Sequence, residues 1–288
     1  MKYRFIQGQA KHHRVSRLCR VLGVSRSGYY QWRQRKPSAR AQDDARLLIE
    51  IERVHKANFG AYGAFKTWRE LTGQGVAGGK HRIARLRRDN GIEARRKRRF
   101  RRIIEHHHTA PPAPDLIERH FHTDSPDRAW VGDMTFIRTR QGWLYLTMLL
   151  DLYSRKVVGW AMGERADEQL TLNALEMAIT QRQPPPGLIH HTDQGVIYRS
   201  RRYRERMAAL QMHPSMGAKC SAHDNAVAES FFSNLKNELV HHVVFATRDA
   251  ARMAIFDYIE LFYNRRRLHQ TLGYLSPMQF ELNHECGT

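Results

Sequence analysis

The chain has 288 residues and a formal net charge of +20 at pH 7, which costs self-repulsion unless a polyanion such as nucleic acid neutralises it. Its three cysteines, Cys19, Cys220 and Cys286, form no CxxC pair, so the sequence favours neither a zinc ribbon nor a disulfide framework. No apolar run approaches the roughly 18 residues of a membrane span and the first residues lack a signal-peptide core, so we expect a cytoplasmic protein without a membrane partner.

The positive charge is concentrated in the first third of the chain. Residues 1–102 hold 28 Lys and Arg against 7 Asp and Glu, whereas residues 103–288 hold 20 against 21. The sequence therefore predicts a basic arm that binds DNA, followed by a nearly neutral body.

Residues 15–32 have the pattern of two short helices joined at Gly23, with Ser25 as the N-cap of the second helix. This is the outline of a helix-turn-helix, whose second helix would lie on DNA. A helical hairpin that packs without touching DNA has the same pattern, and the segment alone does not separate the two. We assign residues 1–40 to this N-terminal segment.

A second helical module is predicted over residues 41–94. Apolar residues recur at helical spacing in residues 43–55, 65–71 and 80–88. The last helix is strongly basic, so we predict DNA contacts from Arg82 and Arg85. A solvated charged face is the alternative interpretation of this helix.

A basic and Pro-rich linker is predicted over residues 95–122. Residues 95–102 contain seven cations in eight positions, a run that cannot bury itself and that is expected to follow DNA phosphates. The three histidines at 106–108 are interpreted as polar linker rather than as a metal site. The predicted phosphate contacts are Arg95, Arg96, Lys97, Arg98, Arg99, Arg101 and Arg102.

Residues 123–245 have sequence patterns of both strands and helices. Three consecutive strands on short turns predict an antiparallel meander, and a helix capped by Asp167 follows it. The predicted order is βββαβαβα, which indicates an α/β fold. The common architecture with this order is the ribonuclease-H-like fold, a mixed sheet flanked by helices. The predicted strands cover residues 130–138, 143–150, 156–162, 188–192 and 212–215, and the later helices cover residues 201–210 and 225–240.

Three acids occupy positions of interest in this layout. Asp133 lies inside the first strand, Asp193 follows the fourth strand directly, and Glu229 lies on the last core helix two turns before Lys236. Carboxylate oxygens are the ligands that Mg²⁺ prefers, and a pair of such ions catalyses phosphoryl transfer. Taken singly, each acid is more often a cap or a salt-bridge partner. Acids of that ordinary kind are Asp151, Asp224 and Glu238.

Several separate motifs resemble one protein family. They are Trp130-Val131-Gly132-Asp133-Met134-Thr135, His191-Thr192-Asp193-Gln194-Gly195, residues 224–238, and Tyr263-Asn264-Arg265-Arg266-Arg267-Leu268-His269 followed by Ser276-Pro277. On these motifs the chain resembles the retroviral-integrase-type DDE transposases of bacterial insertion sequences, and more narrowly the OrfB-type products of the family founded by insertion sequence three. Residues 15–32 and 62–93 are similar to the arm of the same proteins.

The resemblance implies a function and a set of roles. Asp133, Asp193 and Glu229 would bind two catalytic Mg²⁺ ions, with Mn²⁺ as a substitute, and Lys236 would contact DNA near the cut. The implied DNA partners are the terminal inverted repeats of a mobile element and its target, joined through a circular intermediate. Relatives often act as a fusion with the product of an upstream reading frame, and a homo-oligomer would hold two DNA ends. Gln194 stands where an Arg is usual in the family, a departure that would alter one DNA contact.

The last segment, residues 246–288, is predicted to be a helical and basic extension. A helix over residues 250–263 leads into a turn with Arg265, Arg267 and His269, for which we expect DNA backbone contact or packing. Ser276 begins a capping-box pattern. The sequence thus predicts a DNA transposase that nicks the ends of an insertion sequence and joins strands. A plain nuclease of the same fold and a non-catalytic DNA-binding regulator remain the alternatives.

Overall fold

A computed structural model describes residues 1–95, 112–217 and 225–285, and the chain divides into two compact units, Met1–Glu50 and a larger unit that begins at Ile51. The first unit contains α1 (Lys2–Gln9), α2 (Val15–Val21) and α3 (Arg26–Gln34), and α4 (Ala39–Ala57) begins in it. The helical pair predicted over residues 15–32 is confirmed.

The caps and the core of the first unit explain its fold. The Ser25 side chain accepts the Gly28 N–H at 3.0 Å, as the predicted N-cap requires. Gly23 ends the turn with φ +61, a conformation that favours glycine. Helix α1 was not predicted, because Ile6 is its single buried residue and one apolar position gives no helical period.

The second unit begins with a small helical module. After α4 come α5 (Ala64–Gly73) and α6 (Lys80–Asp89), so all three predicted helices of this region are confirmed. Arg87 is a basic residue of α6 that points inward, where its guanidinium donates to the Thr67 hydroxyl at 3.0 Å and to the Tyr62 carbonyl at 2.8 Å. The basic face of α6 is therefore smaller than its sequence indicates.

A five-stranded mixed sheet organises the rest of the unit. Its order is β3-β2-β1-β4-β5, with β1, β2 and β3 antiparallel and β4 and β5 parallel to β1. This confirms the predicted meander and the ribonuclease-H-like architecture. The strands are β1 (Ala129–Thr139), β2 (Gly142–Asp151), β3 (Val157–Gly163), β4 (Ile189–Thr192) and β5 (His213–Met216).

Helices cover the sheet in the predicted order. Asp167 caps α7 (Glu168–Arg182) by accepting the Leu170 N–H at 3.0 Å. This helix lies so close to β3 that a Cβ at Gly159 would approach the Ala174 carbonyl to 2.4 Å. The remaining core helices are α8 (Arg201–Ala209), α9 (Ala226–Glu238) and α10 (Arg248–Phe256), of which α9 and α10 contact β1.

The C-terminal extension differs in part from the prediction. Thr247 caps α10, and the helix continues as a π-helix over Asp257–Tyr263 rather than as regular α-helix. The predicted capping box is confirmed at α11 (Pro277–Glu285), where Gln279 N–H donates to the Ser276 hydroxyl and the Gln279 side chain accepts the Ser276 N–H. Within the described ranges, no helix combines the length and apolar character that crossing a membrane requires.

Candidate active site

Two of the three predicted acids lie at the same level of neighbouring strands. Strands β1 and β4 are parallel, and Val131 pairs with His191. Asp133 and Asp193 each follow this pair by two residues, so the register places both aspartates at the same level, Asp133 within β1 and Asp193 just beyond the carboxyl end of β4. The carboxyl end of a parallel strand, where Asp193 lies, is where open α/β sheets keep their sites.

The third acid reaches the same region on helix α9. Glu229 lies in the first turn of α9, and the preceding Asn225 donates its side-chain amide to the Gly132 carbonyl at 3.3 Å. This bond ties the start of α9 to the residue before Asp133. The Asn225 Oδ1 atom is buried and has no hydrogen-bond partner in the portion of the chain that is described.

Electrostatic interactions join these residues into one cluster. The pKa of Asp133 is raised to about 8, first by burial and then by the Asp193 and Glu229 carboxylates. The Met134 N–H, 2.7 Å from Asp133 Oδ1, and the Lys236 ammonium both act to lower the same pKa. The fold therefore brings Asp193, Glu229 and the Lys236 ammonium within electrostatic reach of Asp133.

The three carboxylates do not converge on a single point in this structure. Asp133 Oδ1 faces its neighbour's N–H, and Asp193 Oδ1 accepts the Gly195 N–H at 3.0 Å. Across residues 1–95, 112–217 and 225–285, no three His, Cys, Asp or Glu side chains are arranged to hold a metal ion. Local hydrogen bonds thus orient the aspartates separately.

Two aromatic residues lie beside the acids and were not singled out in the sequence. The Lys236 ammonium lies 5.5 Å from the centroid of the Phe136 ring, and burial lowers the pKa of this lysine while Asp133 raises it. Tyr198 is buried near the aspartates, and its pKa is raised first by burial and then by Asp133 and Asp193. Tyr198 lies in a 3-10 turn, and the feature of the sequence that could have pointed to it is its position five residues after Asp193.

Asp151 has the structural role that its position at a strand end suggested. It is fully buried, and its carboxylate accepts the Asp127 N–H, the Ser154 N–H and the Ser154 hydroxyl at 2.9 to 3.0 Å. These bonds close the turn between β2 and β3. Asp224, for which the sequence also predicted a capping or salt-bridge role, lies outside the described residues.

Glu238 and Arg267 form a buried ion pair. The Arg267 guanidinium donates to Glu238 Oε1 at 2.7 Å and to Oε2 at 3.0 Å, and the Tyr258 hydroxyl donates to Oε2 at 2.7 Å. This is a correction for Arg267, which the sequence suggested as a DNA contact. With 7% of its surface exposed, the side chain is turned into the protein.

The other predicted DNA-binding cations are found at the surface where they are described. Arg95 and Arg265 are exposed, and Arg82 and Arg85 are partly exposed on α6, with Arg85 3.4 Å from Asp89. Their contacts with DNA stay predictions. The predicted cations that lie outside the described residues are Arg96, Lys97, Arg98, Arg99, Arg101 and Arg102.

Two further side chains make internal contacts. The Gln194 amide donates to the Gly217 carbonyl at 3.0 Å, so the residue that departs from the family pattern ties the Asp193 loop to the end of β5. His269 is buried edge-on to the Tyr263 ring, with 4.9 Å between centroids, and burial and nearby cations hold its pKa well below the ordinary value. Of the two expectations for His269, packing describes its position.

Comparison with known proteins gives matches along almost the whole chain. Residues 123–222 and 229–284 match two family models described as integrase core domain, and residues 41–100 match an HTH-like domain. The Insertion element IS600 uncharacterized 31 kDa protein of Shigella sonnei is 43% identical over 263 residues, which cover 91% of this chain and 97% of that protein. Transposase InsF for insertion sequence IS3A of Escherichia coli (strain K12) is 39% identical over 287 residues, which cover 98% of each chain.

Solved structures give a weaker likeness. A chain from the simian T-cell lymphotropic virus intasome in complex with PP2A regulatory subunit B56 gamma has 14% identity and a TM-score of 0.48, with 80% of this chain and 74% of that chain covered. The HTLV-2 integrase catalytic core domain in complex with magnesium has 18% identity and a TM-score of 0.42, with 54% and 96% covered.

Proposed function

The chain belongs to the insertion-sequence transposases with an integrase core domain, the family founded by insertion sequence three, and from this premise we propose a catalytic site for it. It is a DNA transposase, an enzyme of the nucleotidyl-transfer type, and its integrase core and HTH-like domains indicate DNA binding. Its catalytic carboxylates are Asp133, Asp193 and Glu229. The observation that carries this proposal is their electrostatic clustering from three distant elements of the chain.

The chemistry of the donor set supports a divalent metal. Two aspartates and a glutamate offer the hard oxygen ligands that Mg²⁺ prefers. Neither Asp133 nor Glu229 forms a salt bridge with any residue of the described ranges, although like charges crowd Asp133. The Lys236 ammonium supplies one positive charge against several carboxylates, and crowded buried carboxylates are costly, so a bound cation would relieve the repulsion at Asp133.

Asp133, Asp193 and Glu229 would hold two Mg²⁺ ions, with Mn²⁺ as a substitute. When bound, the ions supply activation of the attacking oxygen and stabilisation of the leaving oxygen. The chain's own part is positioning. Strands β1 and β4 set the two aspartates at one level, and α9 presents Glu229 and Lys236 on one side. Lys236 would grip a phosphate beside the one that is cut.

The reaction would run as two in-line displacements on phosphorus. Water attacks a phosphodiester at the element's end and frees a 3′-hydroxyl, and this hydroxyl then attacks a second phosphodiester and releases its 3′-oxygen leaving group. The number of phosphodiester bonds is conserved in the second step, so joining needs no nucleotide cofactor. The proposal assigns no covalent bond between DNA and a side chain.

The DNA surface and the assembly are part of the same proposal. Residues 1–40 and 41–94 read the terminal repeats, residues 95–122 follow phosphates, residues 123–245 catalyse, and residues 246–288 add Arg265. The surface leaves out Arg267, which is buried. Two or more protomers hold the two DNA ends, and a product of an upstream reading frame joins them as a fusion partner.

A joining assay tests the proposal. The full chain is incubated with Mg²⁺, a labelled duplex copied from the DNA that flanks its coding sequence, and an unlabelled second duplex. We expect nicked and joined products, both abolished in Asp133→Asn. The matched control is Asp167→Asn, because asparagine also caps helices and Asp167 lies at the start of α7.

Three results would count against the proposal. Nicked ends without joined products would favour a plain nuclease, and activity in Asp133→Asn would remove this carboxylate from the site. DNA binding without any cleavage, in a chain that folds and is supplied with either Mg²⁺ or Mn²⁺, would favour a regulator that only binds DNA.

A further inference from the structure

Glu238 lies on a stripe of helix α9 that is otherwise apolar. The helix buries Ala228, Phe231 and Leu235 at helical spacing, and Glu238 is the next residue on the same stripe. An ionised side chain at such a position is costly unless it is paired and hydrogen-bonded, and an apolar residue would pack there at lower cost. The position therefore calls for an explanation beyond stability.

The partners of Glu238 hold both of its oxygens. Arg267 donates to Oε1 and to Oε2 in the bidentate geometry that fixes a carboxylate's orientation. The Tyr258 hydroxyl, 2.7 Å from Oε2, adds a third direction of restraint. Glu238 can therefore neither rotate nor slide without breaking these bonds, and the end of α9 is fixed with it.

The proposed catalytic residues lie on the opposite side of the same helix. Each residue of an α-helix turns by about 100°, so the nine steps from Glu229 to Glu238 end about 180° away. The seven steps from Glu229 to Lys236 return to nearly the same side. The ion pair thus anchors the back of α9 and leaves its front, with Glu229 and Lys236, toward Asp133.

The backbone on both sides of Arg267 is held by the α5–α6 module (residues 51–95). The Tyr62 hydroxyl accepts the Leu268 N–H at 2.9 Å and donates to the Arg266 carbonyl at 3.3 Å. The Lys66 ammonium donates to the Leu268 carbonyl at 2.7 Å. Two side chains of the module therefore fix the short segment from which Arg267 projects.

Aromatic packing supports the same junction. The Phe59 ring, at the end of α4, lies 4.9 Å from the Phe262 ring and 5.8 Å from the Tyr258 ring. Tyr258 is the residue that bonds Glu238, so a second path leads from the module to α9. Both paths run through buried and half-buried side chains, which transmit displacements better than exposed ones.

We infer that Glu238 and Arg267 are positioning residues that couple the α5–α6 module to the face of α9 bearing Glu229 and Lys236. This inference rests on the proposed function of those two residues. A shift of the module when it binds DNA would move residues 266–268, then Arg267, and then α9. Correct alignment of the module would thereby be a condition for alignment of the carboxylates.

Hydrogen–deuterium exchange on the full chain tests the coupling without any need for activity. We expect Arg267→Lys and Tyr62→Phe each to speed amide exchange in α9 by about tenfold or more, because the helix opens locally when its rear anchor is loosened. The matched control is Arg182→Lys, since Arg182 is also mostly buried and is ion-paired to Asp127 and Glu281, two residues outside α9. Unchanged exchange in α9, or equal acceleration in the control, would overturn the inference.

Cleavage kinetics then separate positioning from simple stability. With the flanking-DNA duplex, we expect Arg267→Lys to lower the single-turnover rate at saturating DNA by about tenfold to a hundredfold, the scale of a small misplacement, with duplex affinity kept. Arg182→Lys, compared at a temperature where both variants are folded, should keep its rate. Equal rate losses in both would make the pair merely structural. If the wild type itself cleaves nothing while the exchange results stand, the proposed function fails and the coupling survives.

Discussion

The two sides of helix α9 hold the same kind of residue in opposite circumstances. Glu229, on the front, lies in a group of carboxylates with repulsive interactions, since Glu229 and Asp193 both raise the pKa of Asp133. Glu238, on the back, is neutralised by Arg267 and bonded by Tyr258. Glu229 forms no ion pair among the described residues, whereas both carboxylate oxygens of Glu238 are hydrogen-bonded.

This difference separates a site from a scaffold more clearly than burial does. A buried acid with a cation of its own contributes to folding, and removing it leaves the cation stranded. An acid crowded by like charges contributes little to folding and is retained because an external cation or substrate completes it. The same substitution should therefore affect chiefly activity on the front of α9, and on the back it should affect stability together with a smaller part of the activity.

The largest effect is expected from Glu229→Gln. If Glu229 binds metal as proposed, its loss removes several kcal/mol of transition-state stabilisation, so single-turnover cleavage should fall by about a thousandfold or more. Thermal unfolding should show a midpoint close to that of the wild type, and Mg²⁺ should raise the midpoint of the wild type more than that of the variant.

Glu238→Gln is the comparison on the same helix, and loss of its positioning role predicts a smaller fall in the cleavage rate, of about tenfold to a hundredfold. Cleavage that survives in Glu229→Gln but fails in Glu238→Gln at a temperature where both are folded would reverse the comparison. A Glu229→Gln variant that is grossly unfolded would show that the front of α9 is structural as well.

The second effect concerns stability on the back of the helix. Glu238→Gln leaves the Arg267 guanidinium buried without a counter-charge, and we expect the free energy of unfolding to fall by about 3 kcal/mol. Urea denaturation measures it. Adding Arg267→Met should recover part of the loss, because both charges are then gone. A double variant no more stable than the single one would indicate that the pair's packing, rather than its charge, matters.

Sequence and structure agree on the order of elements because that order follows local patterns. Alternation and helical spacing predicted every strand and helix of the core. The capping residues Ser25, Asp167 and Ser276 were recognisable because each stands directly before a helical pattern. Helix α1 was missed, since a single buried residue leaves no periodic signal. Asp133, Asp193 and Glu229 were selected by layout and motif, and their catalytic role stays a prediction.

What the sequence does not supply is the pairing of distant charges. Arg265, Arg266 and Arg267 are consecutive, and only the position of Glu238, 29 residues earlier in the chain, decides which of them turns inward. The same holds for Tyr62, whose hydroxyl bonds a backbone amide 206 residues away. Local propensity carries no information about such contacts, because the fold brings the partners together.

A third kind of carboxylate predicts a smaller and pH-dependent effect. The pKa of Asp151 is raised to about 6 from 3.8, chiefly by burial, although the N–H groups of Ser154 and Asp127 act to lower it. The folded state therefore holds this proton at pH values where the unfolded state has lost it. Its contribution to the free energy of unfolding is full below about pH 3.8 and is lost as the pH rises through about 6, a total of about 3 kcal/mol.

Asp151→Asn should remove this pH dependence. The variant also loses one hydrogen-bond acceptor, but that cost is constant with pH, so the test is the slope of the urea midpoint between about pH 4 and pH 6.5. We expect the wild type to lose stability relative to the variant across this window. Asp249→Asn, at a site with 88% side-chain exposure, is the control. Parallel curves for wild type and Asp151→Asn would contradict the assignment.

The smallest effect on stability is expected from an exposed ion pair whose contact distance equals that of the buried pair on α9. Arg201 and Glu205 approach to 2.7 Å, the same separation as Arg267 and Glu238, but their side chains are 85% and 59% exposed. Water solvates both partners before and after the pair forms, and holding two long side chains costs entropy, so Glu205→Gln should leave the urea midpoint unchanged within error. A loss comparable with that of Glu238→Gln would mean that contact distance alone governs these pairs. An unchanged midpoint would instead tie the effect at Glu238 to burial, the property that makes the back of α9 an anchor.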